Sequence, residues 1–532
     1  MAKKDLKEKL ISSYLKFIKK ENRIPSFSDL NSIEITRASV RHHFGDSTTL
    51  HKYMRDAHPE DLSSVLDENS FTTERFKEIK KEAKNYDKFV ITTAVCERAV
   101  DVKFLEALKS YCKKNKAMLM ILPCQDVASR RREFNWNLDP LLKDEYVVFN
   151  DVKLNDKLFV STIKVSAKQI DPIRGLTRIT QKNGSLILAA PKQLLTYVAN
   201  SNEKKIPRAL MTTGAVTIGD YSTDKYMSAR TSYIAEDDHM IGAVVVEIEN
   251  RRTFHFRHLE ASKDRSFVDG GVRYHPDGST EKVEVVLVPG DIHDGATDPV
   301  VKEVTKEICK TLKVTDLIAH DFHDGRAVNH HDEGNPLKKA KKHINTTTSL
   351  KAEIQMNCKT LNEMLTWVSG NIVLVKSNHD EVLERYLNEA RYANDHENHY
   401  YSLDLAKKYL EGQDPLKYAI EEVEGVNDKS RLRWLKRDEE YKIGDLELGA
   451  HGDKGPNGSR ASLTSMESSF GSAIVAHSHT AAILRRIKRV GTSTLLDQGY
   501  NVGPSSWTHT HALVYPDGTS QLINIIGKKW RL

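Results

Sequence analysis

Five short stretches carry side chains able to bind a divalent metal. Asp291 and His293 stand two residues apart, and His320-Asp321-Phe322-His323-Asp324 follows. Then come Ser377-Asn378-His379-Asp380, His451-Gly452-Asp453 and His477-Ser478-His479. The donors are carboxylates, a carboxamide and imidazoles, with no thiolate among them. That set suits manganese, iron or zinc in a working site better than a structural zinc. Seven donors exceed the needs of one ion and suit two that share a carboxylate. Two such ions about 3.5–4 Å apart clamp a phosphoryl group and activate a water between them.

These residues need strands to present them. Residues 283–288 form a β-branched apolar run that Pro289-Gly290 ends, so Asp291 and His293 fall at the carboxyl end of a buried strand. Open α/β sheets place their ligands there. Residues 314–319, 372–375 and 473–476 are similar apolar runs, each followed by one of the donor groups, and Leu448-Gly449-Ala450 precedes His451. The expectation is one sheet that brings all five groups to a single edge. His509 and His511 imitate the last motif but lie on one face of a late strand, where packing or support of the ligands is the better reading. His330, His331 and Asp332 read as a polar loop. Pro-Asp-Gly at 276–278 and at 516–518 marks two tight hairpins at sheet edges.

The 532 residues allow two to four domains, and 39% apolar content is enough for real cores. No apolar run is long enough for a membrane span. Five scattered cysteines without a CxxC pair point to reduced thiols in a cytoplasm. A formal charge of +6 permits a nucleic-acid partner without requiring one. Residues 1–68 read as a small helical unit, with apolar positions at helical spacing from Leu6 to Ile18, a second helix near 36–44, and a third from Ser47 or Thr48. Charged residues 61–88 suggest a linker helix. Within 69–280, strands at 89–95 and 117–122 flank a helix at 104–111, a β-α-β pattern that predicts parallel pairing. Further strands are expected at 146–149, 158–165, 186–190 and 241–248, and Thr212 to Thr217 reads as a tight turn. No nucleotide fingerprint occurs in this region.

The order of the five groups, D-x-H, D-x-x-D, N-H-D, H and H-x-H, resembles that of the calcineurin-like metallophosphoesterases over residues 281–532. The resemblance implies an α/β fold, a four-layer metallophosphoesterase β-sandwich flanked by helices. A mixed α/β domain (69–280) and a helix-turn-helix-like N-terminal unit (1–68) would precede it. It implies that Asp291, His293 and His479 hold one ion and Asn378, His451 and His477 another, with Asp321 bridging. The expected ions are two Mn²⁺, with Mg²⁺, Fe²⁺ or Zn²⁺ as alternatives. His379 would act as acid or transition-state stabiliser, with Asp324 as its catalytic partner. His320, Ser377 and Ala476 replace glycines of the family pattern, while every ligand position is filled. Asp324 matches the phosphatase-like form of the second motif, where the repair nucleases of the family carry His.

The N-terminal helices are similar to the DNA-binding unit of TetR-type regulators, which makes Arg37, Arg41 and Lys52 candidate DNA contacts. Basic clusters near the motifs (Lys338, Lys339, Lys341 and Lys342; Arg431, Arg433, Lys436 and Arg437; Arg485, Arg486, Lys488 and Arg489) suit a phosphate backbone. The expectation is a metal-dependent DNA nuclease of the repair-nuclease branch, similar also to phage-encoded proteins of early DNA degradation. Its partner would be DNA, its site the cytoplasm, and its form a homo-oligomer. The alternatives are a phosphatase or cyclic-nucleotide phosphodiesterase, and a DNA-binding regulator whose metal is structural.

Overall fold

The computed structural model describes the chain apart from residues 1–2, much of 22–72, and 126–137, 201–205, 222–228, 333–334, 346, 438 and 500. The chain is mixed α/β, with several sheets, and divides into two compact units. One comprises Met1–Leu194, Ala209–Phe267 and Tyr274–Thr280; the other comprises Leu195–Arg208, Val268–Arg273 and Glu281–Leu532. Among the described residues no helix is long and apolar enough to cross a membrane.

In the first unit, helices Lys3–Glu21 and Arg37–Phe44 enclose a small core of Leu10, Tyr14, Ile18, Val40 and Phe44. The third helix expected from Ser47 or Thr48 falls largely on residues outside those described. The linker region contains the helix Thr73–Glu82. Beyond it, Lys88–Val95 pairs in parallel with Met118–Cys124, and helix Val102–Asn115 joins them, as the β-α-β pattern predicts. Strands Gly242–Ile248 and Phe254–Glu260 extend this sheet antiparallel. The turn at Thr213-Gly214 is fully buried. Thr213 Oγ1 lies 2.7 Å from Thr93 Oγ1, and a Cβ on Gly214 would come within 3.1 Å of the Met240 carbonyl.

The second unit holds the donor groups and is built on two sheets. Six strands run in the order Leu432–Trp434, Ile372–Val375, Leu317–His320, Val286–Val288, Thr510–Val514, Ser520–Asn524. The first four are mutually parallel, and the last two form an antiparallel hairpin at the edge. Its tip is the Pro-Asp-Gly turn: Asp517 Oδ1 accepts from the Thr519 N–H, and Gly518 takes φ 81°. In the other sheet Leu446–Glu447, Ala473–Val475 and Ile487–Arg489 are parallel neighbours. The single-sheet expectation is therefore corrected: Asp291, Asp321 and Asn378 leave the first sheet, whereas His451, His477 and His479 leave the second. Both sets lie beyond carboxyl ends.

Two glycines join the sheets. A Cβ on Gly290 would stand 2.6 Å from the Thr492 nitrogen, and one on Gly491 would stand 1.9 Å from the Thr508 carbonyl oxygen. Without side chains there, the Asp291 N–H donates to the Gly491 carbonyl and the Ser493 N–H to that of Asp291. Pro289-Gly290 thus ends a strand and also admits a second backbone. Behind the sheet, Leu287, Leu317, Ile372 and Leu374 pack with Ile308, Ile354, Leu361 and Leu383 from helices.

His511 supports this junction from inside. Its Nδ1 accepts the Gly290 N–H at 3.0 Å, and its Nε2 stands 2.8 Å from Thr305 Oγ1, whose own proton goes to the Val301 carbonyl. The ring is therefore neutral, with its proton on Nε2, and burial pushes its pKa down to about 3. An unfolded histidine titrates near 6.5, so between these values the unfolded chain binds more protons. The contribution of His511 is complete above about pH 6.5 and fades as pH falls toward 3. Melting curves should show Tm falling between pH 6.5 and 4, and His511→Asn, which loses stability at pH 7, should show a shallower fall. Parallel curves for the two proteins across that window would contradict this account.

Candidate metal centre

Loops after four strands gather six of the donors into two groups that share Asp321, and a third group, His293, Asp324 and His379, adjoins the first. Asp291, His293, Asp321 and His479 offer ligand atoms all within 4.8 Å of one another, and so do Asp321, His451 and His477. Either group could hold a metal ion. His293 Nε2 lies 3.1 Å from His479 Nε2 and 3.5 Å from Asp321 Oδ2; His479 Nε2 lies 3.4 Å from Asp291 Oδ2. On the other side His451 Nε2 stands 3.1 Å from the same Asp321 oxygen. Asp321 thus faces both groups.

The donors fit a cation because many of their buried polar atoms have no hydrogen-bond partner among the described residues. Among the described residues, Oδ1 of Asp291, Oδ1 of Asp321, Oδ1 of Asn378, and Nδ1 of His451, His477 and His479 are buried without a side-chain hydrogen-bond partner. Leaving such groups unpaired costs about 1–3 kcal/mol each, and more when charged. The electrostatics agree. Burial, and then the Asp321 charge, push Asp291 up to about 7. Burial opposes charge on His293 and His451, yet the surrounding carboxylates, Asp321 foremost, outweigh it and raise both to about 9. Burial, and then His293, press His479 down to about 3, which keeps the ring neutral with one nitrogen lone pair available. The pocket attracts positive charge and keeps a neutral imidazole ready to bind it.

The backbone is strained where it matters. His293, Asp321, His477 and His479 all have positive φ, at 43°, 44°, 74° and 58°. Left-handed residues other than glycine are uncommon and concentrate at functional sites. Each follows a strand end and turns its side chain back toward the others.

The supporting contacts orient these groups. His293 Nδ1 lies 3.1 Å from Asp324 Oδ1, which leaves Nε2 facing the cluster. This is the carboxylate–imidazole arrangement that steadies metal-binding histidines. Asp324 Oδ2 accepts from Arg326 Nε at 2.9 Å, and the Asp324 carbonyl receives His379 Nδ1 at 2.8 Å. The His379 ring stands edge-on to His293, centroids 4.3 Å apart, and is partly exposed. Ser377 uses its hydroxyl and its N–H on Asp380 Oδ2, both at 2.9 Å. Buried His320 stacks on His451 at 5.7 Å, and Trp507 meets His479 at 4.3 Å. His509 Nε2 bonds the Thr494 carbonyl and takes no place among the donors. His330 pairs with Arg385 and lies in a short 3-10 helix, His330–Asp332, where the sequence suggests a polar loop.

The basic clusters divide. Arg431 donates to the carbonyls of Gly370, Leu365 and Val368. Arg437 grips Asp453 with both Nη atoms, Glu381 with Nε and the Lys376 carbonyl, so it ties the Asn378 loop to the His451 loop. Arg485 is paired with Glu467, Arg489 donates to the Thr480 carbonyl, and Lys488 is buried against Ser520. Arg486 is exposed at a hairpin tip, and Lys338, Lys339 and Lys341 are exposed on helix Pro336–Ile344. Arg37 and Arg41 belong to a described helix, but their side chains, like Lys52 as a whole, lie outside the described residues. Sequence reasoning overlooked Arg437 and Asp453 as ties between loops. Charge alone cannot tell a buried guanidinium from a solvated one.

The site defines a mixed α/β protein with a buried histidine–aspartate cluster able to hold metal. Among known proteins the chain is similar to Protein A1 of Escherichia phage T5, 28% identical over a 408-residue alignment that covers 73% of this chain and 72% of that protein. No protein-family model matches the chain, and no solved structure matches it.

Because only the folded chain gathers these donors, metal should stabilise it. At about 100 times its dissociation constant, Mn²⁺ should add about 2.7 kcal/mol, seen as a raised Tm that EDTA reverses. Asp321→Asn should lose most of this gain, and asparagine tolerates the left-handed backbone there. An equal Tm rise in wild type and Asp321→Asn would contradict a shared carboxylate.

Proposed function

We propose that the chain is a two-metal-dependent DNA nuclease with a calcineurin-like metallophosphoesterase fold in its C-terminal half. The observation that carries this reading is the pair of donor groups that share Asp321, with their buried atoms otherwise unsatisfied. Asp291, His293, Asp321 and His479 would hold one ion; Asp321, Asn378, His451 and His477 the other. Mn²⁺ suits the mixture of imidazole and carboxylate better than Mg²⁺, which prefers oxygen alone. When bound, the ions supply Lewis-acid polarisation of a phosphoryl group and a water ionised near neutral pH.

The protein's own residues do the rest. Asp324 fixes the tautomer of His293 by accepting from Nδ1. His379 donates through Nδ1 to the Asp324 carbonyl, which turns Nε2 outward at a partly exposed position. From there it can give a proton to the leaving oxygen of a phosphodiester. DNA as substrate is supported by exposed Lys338, Lys339, Lys341 and Arg486 in the unit that carries the donors, and by the likeness to a phage protein. The phosphatase-like Asp324 favours a second reading, hydrolysis of phosphomonoesters or cyclic nucleotides.

Purified protein incubated with Mn²⁺ and plasmid, linear or single-stranded DNA tests the proposal. Cleavage that EDTA abolishes is expected. Turnover of p-nitrophenyl phosphate with DNA left intact would favour the second reading, and DNA binding without any hydrolysis would favour a regulator with structural metal. His379→Ala should keep its metal content while kcat falls by about 10²–10⁴, the span of a lost acid–base group. Depleted metal in His379→Ala would show that the imidazole is a ligand instead.

A further inference from the structure

Helix Leu350–Leu365 lies behind the donor loops and contributes Leu350, Ile354, Cys358 and Leu361 to the core. Three polar residues, Glu353, Asn357 and Thr360, interrupt this buried side at helical spacing, with exposures of 5%, 0% and 4%. Each contacts a loop that carries candidate ligands. Thr360 Oγ1 donates to Asp294 Oδ1 at 2.9 Å, and Asn357 Nδ2 donates to Asp294 Oδ2 at 3.0 Å. Asp294 directly follows His293. The other end of the same amide, Asn357 Oδ1, accepts from His323 Nδ1 at 2.8 Å, two residues beyond Asp321. One turn back, Glu353 accepts the N–H groups of Arg326 and Ala327 at 3.0 and 2.9 Å, just after Asp324. Met356 of the same helix closes on Gly295, where a Cβ would meet its Cε at 2.5 Å.

We infer that Glu353, Asn357 and Thr360 form a positioning stripe that sets the first and second donor loops in register, and so sets how tightly the His293–Asp321 group holds metal. Asn357 is the coupling member, since one side chain holds both loops through its two ends. Burying three polar groups on a core helix is costly unless each is fully bonded, and here every bond goes to a donor loop. None of the three belongs to the donor groups themselves. Partners of this kind typically change metal affinity by about 10–100-fold when removed. The inference rests on the proposal that His293 and Asp321 bind metal.

The test is calorimetric titration of the metal-free full chain with Mn²⁺, together with the visible spectrum of the Co²⁺ form, which reports ligand geometry without turnover. Thr360→Val keeps the shape and removes the hydroxyl. It should weaken the tighter Mn²⁺ site by about 10-fold and alter the Co²⁺ bands, whereas Thr360→Ser should restore both to near wild type. Asn357→Leu should weaken binding further, toward about 100-fold. If Thr360→Val and Asn357→Leu fold and bind with wild-type affinity and spectrum, the stripe is ordinary helix packing and the inference is overturned. Wild-type protein that takes up neither Mn²⁺ nor Co²⁺ would instead overturn the metal reading on which it stands.

Discussion

The second unit is governed by the burial of negative charge. Asp291 and Asp321 are 0% and 1% exposed, and they share a pocket lined by imidazoles. Two carboxylates so placed repel each other and lose their hydration, a cost that reaches several kcal/mol per ion. Positive charge must be supplied, by protonated histidine or by a metal cation, and donor atoms on both sides of Asp321 lie close enough together to take it. The glycine approach at Gly290 and Gly491, the tilted loops and the ties behind them all serve to bring these donors together.

That requirement explains why two sheets are used. Parallel strands of a single sheet stand about 4.8 Å apart, so donors leaving four neighbouring strands would fan out over more than 14 Å. Bringing a second set of strand ends toward the first closes the donors into a compact cluster. His511 holds the junction from beneath, and Arg437 spans the loops on the far side. The distances around Asp321 follow from this closure, not from any one strand.

Much of this was legible in the sequence, for a physical reason. Apolar β-branched runs report buried strands, and a carboxylate and imidazole directly after one can hardly serve the core. Residues 286–288, 317–320, 372–375 and 473–475 obey that logic. The partition of strands between sheets was not legible, because alternation reports burial and says nothing about which neighbour pairs. The roles of Arg431 and Arg437 were hidden too, since their partners are carbonyls and carboxylates brought close only by folding. The stripe on helix Leu350–Leu365 lay between these cases. Polar residues at 353, 357 and 360 among core positions 350, 354, 358 and 361 mark an anomaly in the pattern, but not the loops they hold. In the first unit the β-α-β pattern predicted the pairing, whereas nothing in residues 69–280 announced a chemistry.

The left-handed backbone at His293, Asp321, His477 and His479 has a consequence for how such a protein tolerates change. At these four positions glycine would relieve conformational strain, so a library screened for heat resistance alone would enrich glycine or asparagine there first. The clones recovered would be sturdier and empty-handed. Stability and chemistry are opposed at the same backbone torsions, and a lineage released from its task would lose the donors by drifting downhill in conformational energy, well before its core began to decay.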